Sequence, residues 1–234
     1  MKLNANNMFI KTTTLTPTIL FAEQEAEYIP DGMSKSGQLS KRVFDFIVSA
    51  FCLVVFSPLM LLCYLLVKRE DGGPAIFKQE RIGMNGEPFY IYKFRSMVND
   101  APKLGTSVTV ASDMRITKVG QFMRKYRIDE IPQLVNVLKG EMTFVGTRPE
   151  VRKYVDAYTP AMMATLLLPA GITSEASIMY KKEDELLASA EDADQVYIQD
   201  ILPEKMKYNL KSIRKFSLLN DLATMIKTVI AVIM

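Results

Sequence analysis

A long uncharged segment constrains the fold of this chain more than any other feature. The run from Phe46 to Val67 contains no charged residue. About 20 apolar residues are enough for a helix to reach across the ~30 Å hydrocarbon core of a bilayer. Ser57-Pro58 lies in the middle of the run. Because proline removes a backbone donor and clashes with the preceding turn, we expect the helix to kink or break there.

Basic pairs flank this run on both sides, at positions 41–42 and 68–69. Positive charge near membrane segments is retained on the cytoplasmic side. If both flanks obey this rule, the segment enters the membrane, turns at the proline and leaves by the same face. The sequence therefore favours a re-entrant helical hairpin over the alternative, a straight single span.

Composition limits the chemistry. The chain has 234 residues with 49% hydrophobic content, which suits a globular protein with one membrane segment, and its net charge of +3 gives no support to a nucleic-acid partner. The absence of histidine excludes Ser-His-Asp and Cys-His machinery and histidine-based zinc sites. Cys52 and Cys63 both lie in the apolar run, which indicates neither a metal site nor a disulfide framework. Any nucleophile must therefore be a carboxylate, a lysine, a tyrosine or a hydroxyl.

The predicted fold class is α+β and mainly helical. We expect an N-terminal extension at residues 1–39, the re-entrant membrane helix at 40–69 and a catalytic part at 70–234. Asn85-Gly86 between two β-prone segments is typical of a β-hairpin turn. In its second strand Lys93 and Arg95 share a face, where they either bind one ligand together or are solvated strand-end charges.

The chain is predicted to end in an amphipathic helix that begins near Tyr208. Its apolar residues fall on one side of the helix, and basic residues lie at other positions. Two interpretations stay open for this helix, association with a membrane surface and packing on the protein core.

The densest polar group comprises Arg124, Arg127, Asp129, Glu130 and Arg148. Asp129 is a candidate N-cap of a helix, and the free N–H groups of a helix start favour an anion. Carboxylates suit Mg²⁺, and arginines bind phosphate in a bidentate manner. Together these features favour phosphoryl transfer. The alternative is a plain N-cap beside surface ion pairs.

A second acidic motif, Asp192-Ala193-Asp194, has the DxD form of many nucleotide-sugar glycosyltransferases. It follows no predicted strand and lies among acidic and small residues. We therefore interpret it as a solvated loop.

Several motifs occur in order along the chain: KRVFDF, the Ser57-Pro58 break, FKQERIGMNGEPFYIYKFRSM, DEIPQLVNVLKGEMTFVGTRPE and PAGIT. Together they resemble the bacterial monotopic phosphoglycosyl transferases. These are the polyprenyl-phosphate sugar-1-phosphate transferases that begin the assembly of surface polysaccharides and glycoconjugates. The resemblance covers residues 40–230.

This resemblance implies a membrane helix broken at Ser-Pro, with the catalytic part on the cytoplasmic face of the bacterial inner membrane. It implies that Asp129 attacks the β-phosphate of a UDP-sugar, releases UMP and holds the phosphosugar as an acyl phosphate. Polyprenyl phosphate then takes up the phosphosugar. Glu130 assists at a Mg²⁺ site that both carboxylates form. Lys93, Arg124 and Arg148 match basic residues that contact phosphates.

The expected partners are thus a UDP-sugar, polyprenyl phosphate and membrane lipids, with a homodimer left open. The sequence departs from the family pattern at Thr147, which replaces a proline, and at residues 174–177 and Lys181, in the segment expected to bind the nucleotide sugar. These departures leave room for a second hypothesis, in which the chain is a non-catalytic membrane-tethered scaffold on a degenerate transferase fold.

Overall fold

The computed structural model describes residues 35–99, 101, 113–188, 190, 192–214 and 217–234. The N-terminal extension predicted for residues 1–39 therefore lies almost wholly outside the described residues. The helices and strands are, in chain order, α1 (Lys35–Asp71), β1 (Ile76–Ile82), β2 (Pro88–Phe94), α2 (Lys118–Lys125), α3 (Leu134–Lys139), β3 (Met142–Val145), α4 (Arg152–Val155), α5 (Pro160–Met163), β4 (Ala170–Thr173), α6 (Glu175–Met179), α7 (Glu183–Leu187), α8 (Ala193–Val196), α9 (Leu202–Arg214) and α10 (Leu218–Ile233). Short 3-10 helices span Met84–Gly86, Ile128–Gln133 and Ala164–Leu167, and a π-helical turn spans Tyr197–Ile201. The predicted mainly helical α+β class is confirmed.

Helix α1 contains the apolar run and continues through Pro58. The proline has no N–H to donate to the carbonyl of Val54, four residues earlier. The hydroxyl of Ser57 donates to that carbonyl instead, at 2.8 Å. A serine side chain that replaces a lost backbone donor is one way in which apolar helices tolerate proline. At Ser57-Pro58 the helix thus lacks one backbone hydrogen bond but does not end. The re-entrant path stays a prediction.

By length and composition, residues Gly37–Asp71 form a helix able to cross a membrane. Its most apolar 18-residue window has a mean hydropathy of 2.6, and only 11% of that window is buried in the protein. A core helix of a soluble domain would bury most of such a surface. The exposed apolar face of α1 therefore requires a cover other than the described part of this chain.

The predicted β-hairpin is confirmed. Strands β1 and β2 pair antiparallel, from Ile76 opposite Phe94 to Ile82 opposite Pro88. At the turn, Asn85 and Gly86 have φ values of 60° and 73°, the left-handed region that Asn-Gly turns favour. A second small sheet pairs β3 with β4 in parallel.

The two halves of α1 pack on different parts of the same protein body. The first half contributes Val48, Cys52 and Leu53 to a core formed mainly by β2, α3 and β3. The second half contributes Cys63 and Val67 to a core with Phe94 and Met123, from β2 and α2. The helix is therefore in contact with the body on both sides of Pro58.

Polar contacts fix the first turns of α1. Arg42 donates to the carbonyls of Val137 and Leu138 at 2.6 and 2.7 Å. It thus supplies hydrogen-bond donors to carbonyls at the C-terminal end of α3. Lys41 pairs with Asp221 of α10. Asp45 is 3% exposed and accepts a hydrogen bond from the hydroxyl of Thr143 at 2.6 Å. The basic flank thus has a structural role in addition to any effect on topology.

At the other end of α1, Asp71 pairs with Arg95. The second nitrogen of this guanidinium lies 2.8 Å from the same carboxylate. Arg95 is 7% exposed and is paired with Asp71, so the alternative of a solvated strand-end charge is wrong for it. The joint binding of one ligand by Lys93 and Arg95 stays a prediction.

The C-terminal segment forms two helices where the sequence predicted one. Helix α10 begins after Ser217, whose hydroxyl accepts a hydrogen bond from the N–H of Asn220. One side of α10 contacts the body through Met225 and through Thr228, which lies 2.8 Å from Thr173. The other side exposes a row of apolar residues: Leu219, Ile226, Val229, Ile230 and Ile233. The helix therefore packs on the core and also presents an apolar surface.

Candidate active site

The 3-10 helix Ile128–Gln133 positions the acidic pair. It begins after Arg127, whose φ of 55° lies in the left-handed region. Because the helix starts before Asp129, that residue lies inside its first turn and is not the N-cap that the sequence predicted. Asp129 and Glu130 are 6% and 8% exposed. Both carboxylates line a large cleft.

Three cations surround the carboxylate of Glu130. Arg148, which lies just beyond β3, forms two hydrogen bonds with it. Lys93 of β2 lies at 3.3 Å and Arg127 at 3.7 Å. Burial alone would raise the pKa of Glu130, but these cations outweigh burial and hold it well below its ordinary value. Glu130 is thus an ionised anchor for basic groups.

Asp129 stands in a different environment. Within the described parts of the chain, no group forms a hydrogen bond or ion pair with its carboxylate, although Lys93, Arg124 and Arg127 act on it at longer range. Burial raises its pKa, and the adjacent charge of Glu130 raises it further. A desolvated carboxylate with no partner is more basic and more nucleophilic than a solvated one. Two neighbouring carboxylates are therefore suited to different tasks.

The basic groups differ in the same way. Burial lowers the pKa of Lys93 to about 8, although Glu130 acts to raise it. The charge of Glu130 raises the pKa of Arg148 above its already high ordinary value. Arg148 therefore keeps its charge at any working pH, whereas Lys93 with a pKa of about 8 loses its proton at mildly alkaline pH.

The cleft has a volume of about 1390 Å³. Its lining includes the acidic pair with Lys93, Arg124, Arg127 and Arg148. It also includes apolar side chains of two helices, Cys52 and Phe56 of α1 and Val232 and Ile233 of α10. One continuous space thus joins a charged site to the two helices that expose apolar surface.

The remaining predicted site residues lie in two places. Lys181 lines the cleft, and its Nζ donates to the carbonyl of Ala231 at 3.4 Å, on the α10 side. Ser57 and Pro58 are exposed on α1. Neither belongs to the cleft lining.

The DxD motif is not a solvated loop, so that interpretation is wrong. Asp192 caps α8 by accepting from the N–H of Gln195 at 3.0 Å. Asp194 pairs with Lys153 at 2.6 Å and accepts from the hydroxyl of Tyr154. Both aspartates have structural partners, and neither lines the cleft. The acidic pair at 129–130 is thus the better candidate for chemistry.

Sequence reasoning missed a group of buried polar residues next to the predicted site. Arg81, Glu150, Tyr197 and Lys205 all line the cleft on the side of Arg148. Glu150 is the last residue of the TRPE motif, which is the only sequence signal for this group. The other three residues belong to separate elements that only the fold brings together.

The site thus combines a buried acidic pair with cations of the kind that bind phosphate, in a cleft that is also lined by apolar residues of α1 and α10. Residues 36–234 match the family described as bacterial sugar transferase. The chain belongs to this family.

Curated relatives agree with this assignment. A UDP-N-acetylgalactosamine-undecaprenyl-phosphate N-acetylgalactosaminephosphotransferase of Aeromonas hydrophila is 38% identical over 192 residues, which cover 81% of this chain and 42% of the relative. A UDP-glucose:undecaprenyl-phosphate glucose-1-phosphate transferase of Caulobacter vibrioides is 34% identical, with coverage of 82% and 68%. The exopolysaccharide production protein ExoY of Sinorhizobium fredii is 33% identical, with coverage of 84% and 86%. The chain thus spans less than half of the first relative and most of the last.

Proposed function

We propose that this protein transfers a sugar-1-phosphate from a UDP-sugar to polyprenyl (undecaprenyl) phosphate and releases UMP. The observation that carries the proposal is the contrast between the unpaired, buried carboxylate of Asp129 and the cation-bound carboxylate of Glu130. The family and the printed names of the relatives support the same reaction. The product is a polyprenyl-diphosphate-linked sugar, which is the first membrane-bound intermediate in building a polysaccharide or glycoconjugate.

The reaction proceeds in two displacements. A carboxylate oxygen of Asp129 attacks the β-phosphorus of the UDP-sugar, the bond from that phosphorus to the bridging oxygen breaks, and UMP leaves with the bond's electron pair. This forms an acyl phosphate that carries the sugar. An oxygen of polyprenyl phosphate then attacks the same phosphorus and releases the Asp129 carboxylate. A carboxylate nucleophile fits a chain without histidine.

The basic residues of the cleft stabilise the phosphates. Arg148 and Lys93 are both close to Glu130, so they face the side of the cleft that holds the reacting phosphorus. Arg124 and Lys181 line the same cleft and are available to the diphosphate of the donor or the phosphate of the acceptor. Preorganised cations of this kind lower the barrier by stabilising charge that develops in the transition state.

We further propose that Asp129 and Glu130 hold a Mg²⁺ ion together with the substrate phosphates. Among the described residues, no cluster of three or more acidic, histidine or cysteine side chains could hold a metal by itself. Two carboxylates suffice for Mg²⁺, which takes one or two protein carboxylates and completes its shell with water and phosphate. The ion would neutralise phosphate charge. The expected behaviour is weak metal affinity in the free protein and stronger affinity with a nucleotide sugar present.

The membrane arrangement follows the same proposal. Both halves of α1 contact the protein body, whereas residues around Pro58 are exposed, as expected of a helix that enters the bilayer and returns. The apolar side of α10 would lie against the same membrane surface. We place the site at the cytoplasmic face of the bacterial inner membrane, where a soluble nucleotide sugar meets a lipid phosphate. A homodimer stays a prediction.

The identity of the sugar is left to experiment. The relatives include proteins named for UDP-N-acetylgalactosamine and for UDP-glucose. Purified protein should be screened for UMP release with polyprenyl phosphate against a panel of UDP-sugars. Asp129→Asn should abolish UMP release with the active donor. Asp192→Asn is the matched control, because asparagine caps helices as well as aspartate does and Asp192 lies outside the cleft lining.

The scaffold hypothesis predicts the opposite result, no UMP release with any donor. Near-normal turnover of Asp129→Asn would instead refute Asp129 as the nucleophile, although the protein would still be a transferase.

A further inference from the structure

A second buried polar network lies beside the acidic pair. The hydroxyl of Tyr197 donates to Oε1 of Glu150 at 2.5 Å, and Nζ of Lys205 donates to the Tyr197 oxygen at 2.9 Å. Lys205 also pairs with Glu183 at 2.8 Å. Tyr197, Glu150 and Lys205 are 3%, 6% and 6% exposed. This set is called the Glu150 network below.

The network forms hydrogen bonds and ion pairs with the segment that contains Arg148. Glu150 follows Arg148 by two residues, and its backbone carbonyl accepts from the N–H of Ile82 at 2.9 Å. Arg81 donates to the carbonyl of Pro149 at 3.3 Å and lies 3.5 Å from the Glu150 carboxylate. Strand β1 thus holds this segment from one side, and Tyr197 and Lys205 hold it from the other.

The other end of the segment is also fixed. The N–H of Gly146 donates to Thr173 at 3.0 Å, and the N–H of Gly171 donates to Thr147 at 2.8 Å. A Cβ at Gly171 would lie 2.2 Å from the nitrogen of Gly146, so the two backbones touch. Arg148 therefore projects from a short connection that is anchored at both ends, and its guanidinium reaches Glu130.

Stability alone does not account for the Glu150 network. Buried charges cost free energy unless they are paired, and a well-packed apolar replacement is often neutral or stabilising. The core around Tyr197 is otherwise formed mainly by apolar residues, so an apolar side chain could also pack at this position. Tyr197 also begins a π-helical turn, a distortion that is frequently found at functional sites.

We propose that the Glu150 network is a positioning device, in which Tyr197 and Lys205 hold Glu150 so that Arg148 stays aligned on Glu130 and on the transferred phosphate. Tyr197 is thus a positioning residue that acts through Arg148. The inference rests on the proposed function for its kinetic readout, and a second readout is independent of activity.

The kinetic test is a double-mutant cycle of Tyr197→Phe with Arg148→Lys. In the protein with intact Arg148, Tyr197→Phe should lower kcat about tenfold, the scale of one hydrogen bond to a charged group. In the Arg148→Lys background it should cause little further loss, because the aligned group is already gone. Multiplicative losses would overturn the proposal and would be expected if Tyr197 acted only on global packing or touched the substrate directly.

Tyr154→Phe is the matched control. Its ring packs on Tyr197 with centroids 4.7 Å apart, but its hydroxyl donates to Asp194 and not to Glu150. This variant also removes one buried tyrosine hydroxyl, yet it should show no coupling to Arg148. Equal coupling for both tyrosines would contradict a specific path through Glu150.

The second readout is the order parameter of the Arg148 Nε–H bond, measured by ¹⁵N relaxation in detergent micelles and assigned through Arg148→Lys. It should fall in Tyr197→Phe and stay unchanged in Tyr154→Phe. An unchanged value in Tyr197→Phe would overturn the positioning role even if no UDP-sugar were turned over. Failure of the proposed function would instead appear as the absence of wild-type UMP release.

Discussion

Lys93 and Glu130 form a largely buried ion pair, with Nζ of the lysine 3.3 Å from Oε1 of the glutamate. The pair joins strand β2 to the 3-10 helix that carries the acidic dyad. Arg148 reaches the same carboxylate from the other side. The active-site charges thus meet from three elements that are distant in sequence, and the consequences can be tested one residue at a time.

The titration of Lys93 should limit activity at alkaline pH. Burial lowers its pKa to about 8, so the lysine is charged below that pH and loses its proton as the pH rises through it. If Lys93 contacts the transferred phosphate as proposed, kcat/KM should fall on the alkaline side with an apparent pKa near 8. The measurement is a pH profile of UMP release at low substrate concentration.

Lys93→Arg supplies the control for this profile. Arginine stays protonated throughout the accessible range, so the alkaline decline should move to higher pH or disappear, whatever the absolute rate. An unchanged alkaline limb in Lys93→Arg would assign it to another group.

Removal of the Arg42 side chain should weaken the attachment of the membrane helix. Arg42→Gln loses the charged hydrogen bonds to the carbonyls of Val137 and Leu138, so these carbonyls at the end of α3 have weaker hydrogen bonding. We expect a loss of about 1–2 kcal/mol in the free energy of unfolding, or about 3–6 °C in Tm for a chain of this size. Thermal unfolding in detergent measures this effect.

Arg69→Gln is the matched variant in the other basic flank. Arg69 is exposed, so its replacement should change Tm little. Equal losses in both variants would indicate that flank charge, and not the contact with α3, determines stability.

The re-entrant path predicts that both ends of α1 lie on the same side of the membrane. Single cysteines can be placed at the exposed positions Leu39 and Glu80 after replacement of the native Cys52 and Cys63 by alanine. In sealed vesicles of known orientation, an impermeant thiol reagent should label both positions from the cytoplasmic side only.

Labelling of these two positions from opposite sides would establish a straight span. A straight span is compatible with the continuous path of α1 through Pro58. The test therefore reports on which side of the membrane each end of α1 lies, whether or not the helix is continuous.

Local signals predicted the local structure well. Asn85-Gly86 correctly predicted the turn of the hairpin and hence the antiparallel pairing of β1 with β2. These signals succeed because a left-handed turn restricts which residues can occupy it. The N-cap role of Asp129 failed because a 3-10 turn begins before it, which the DEIP pattern does not distinguish from an α-helix start.

The site was less accessible to sequence reasoning. The acidic pair was grouped with Arg124, Arg127 and Arg148 from the residues themselves. Lys93 joined this group only through a motif that resembles a family, since Lys93 and Glu130 are 37 residues apart. The Glu150 network was missed, because Tyr197 lies 47 residues after Glu150 in a segment without a recognisable pattern. Tertiary contacts of this kind leave no periodic or local signal.

The most direct test of the account is a single-turnover experiment without polyprenyl phosphate. Wild-type protein mixed with the active UDP-sugar, radiolabelled in the sugar, should release about one UMP per active site in a burst and retain the label on the peptide that contains Asp129. Asp129→Asn should show neither the burst nor the label. UMP release that requires polyprenyl phosphate in the same mixture, with no labelled protein, would contradict the covalent aspartyl intermediate.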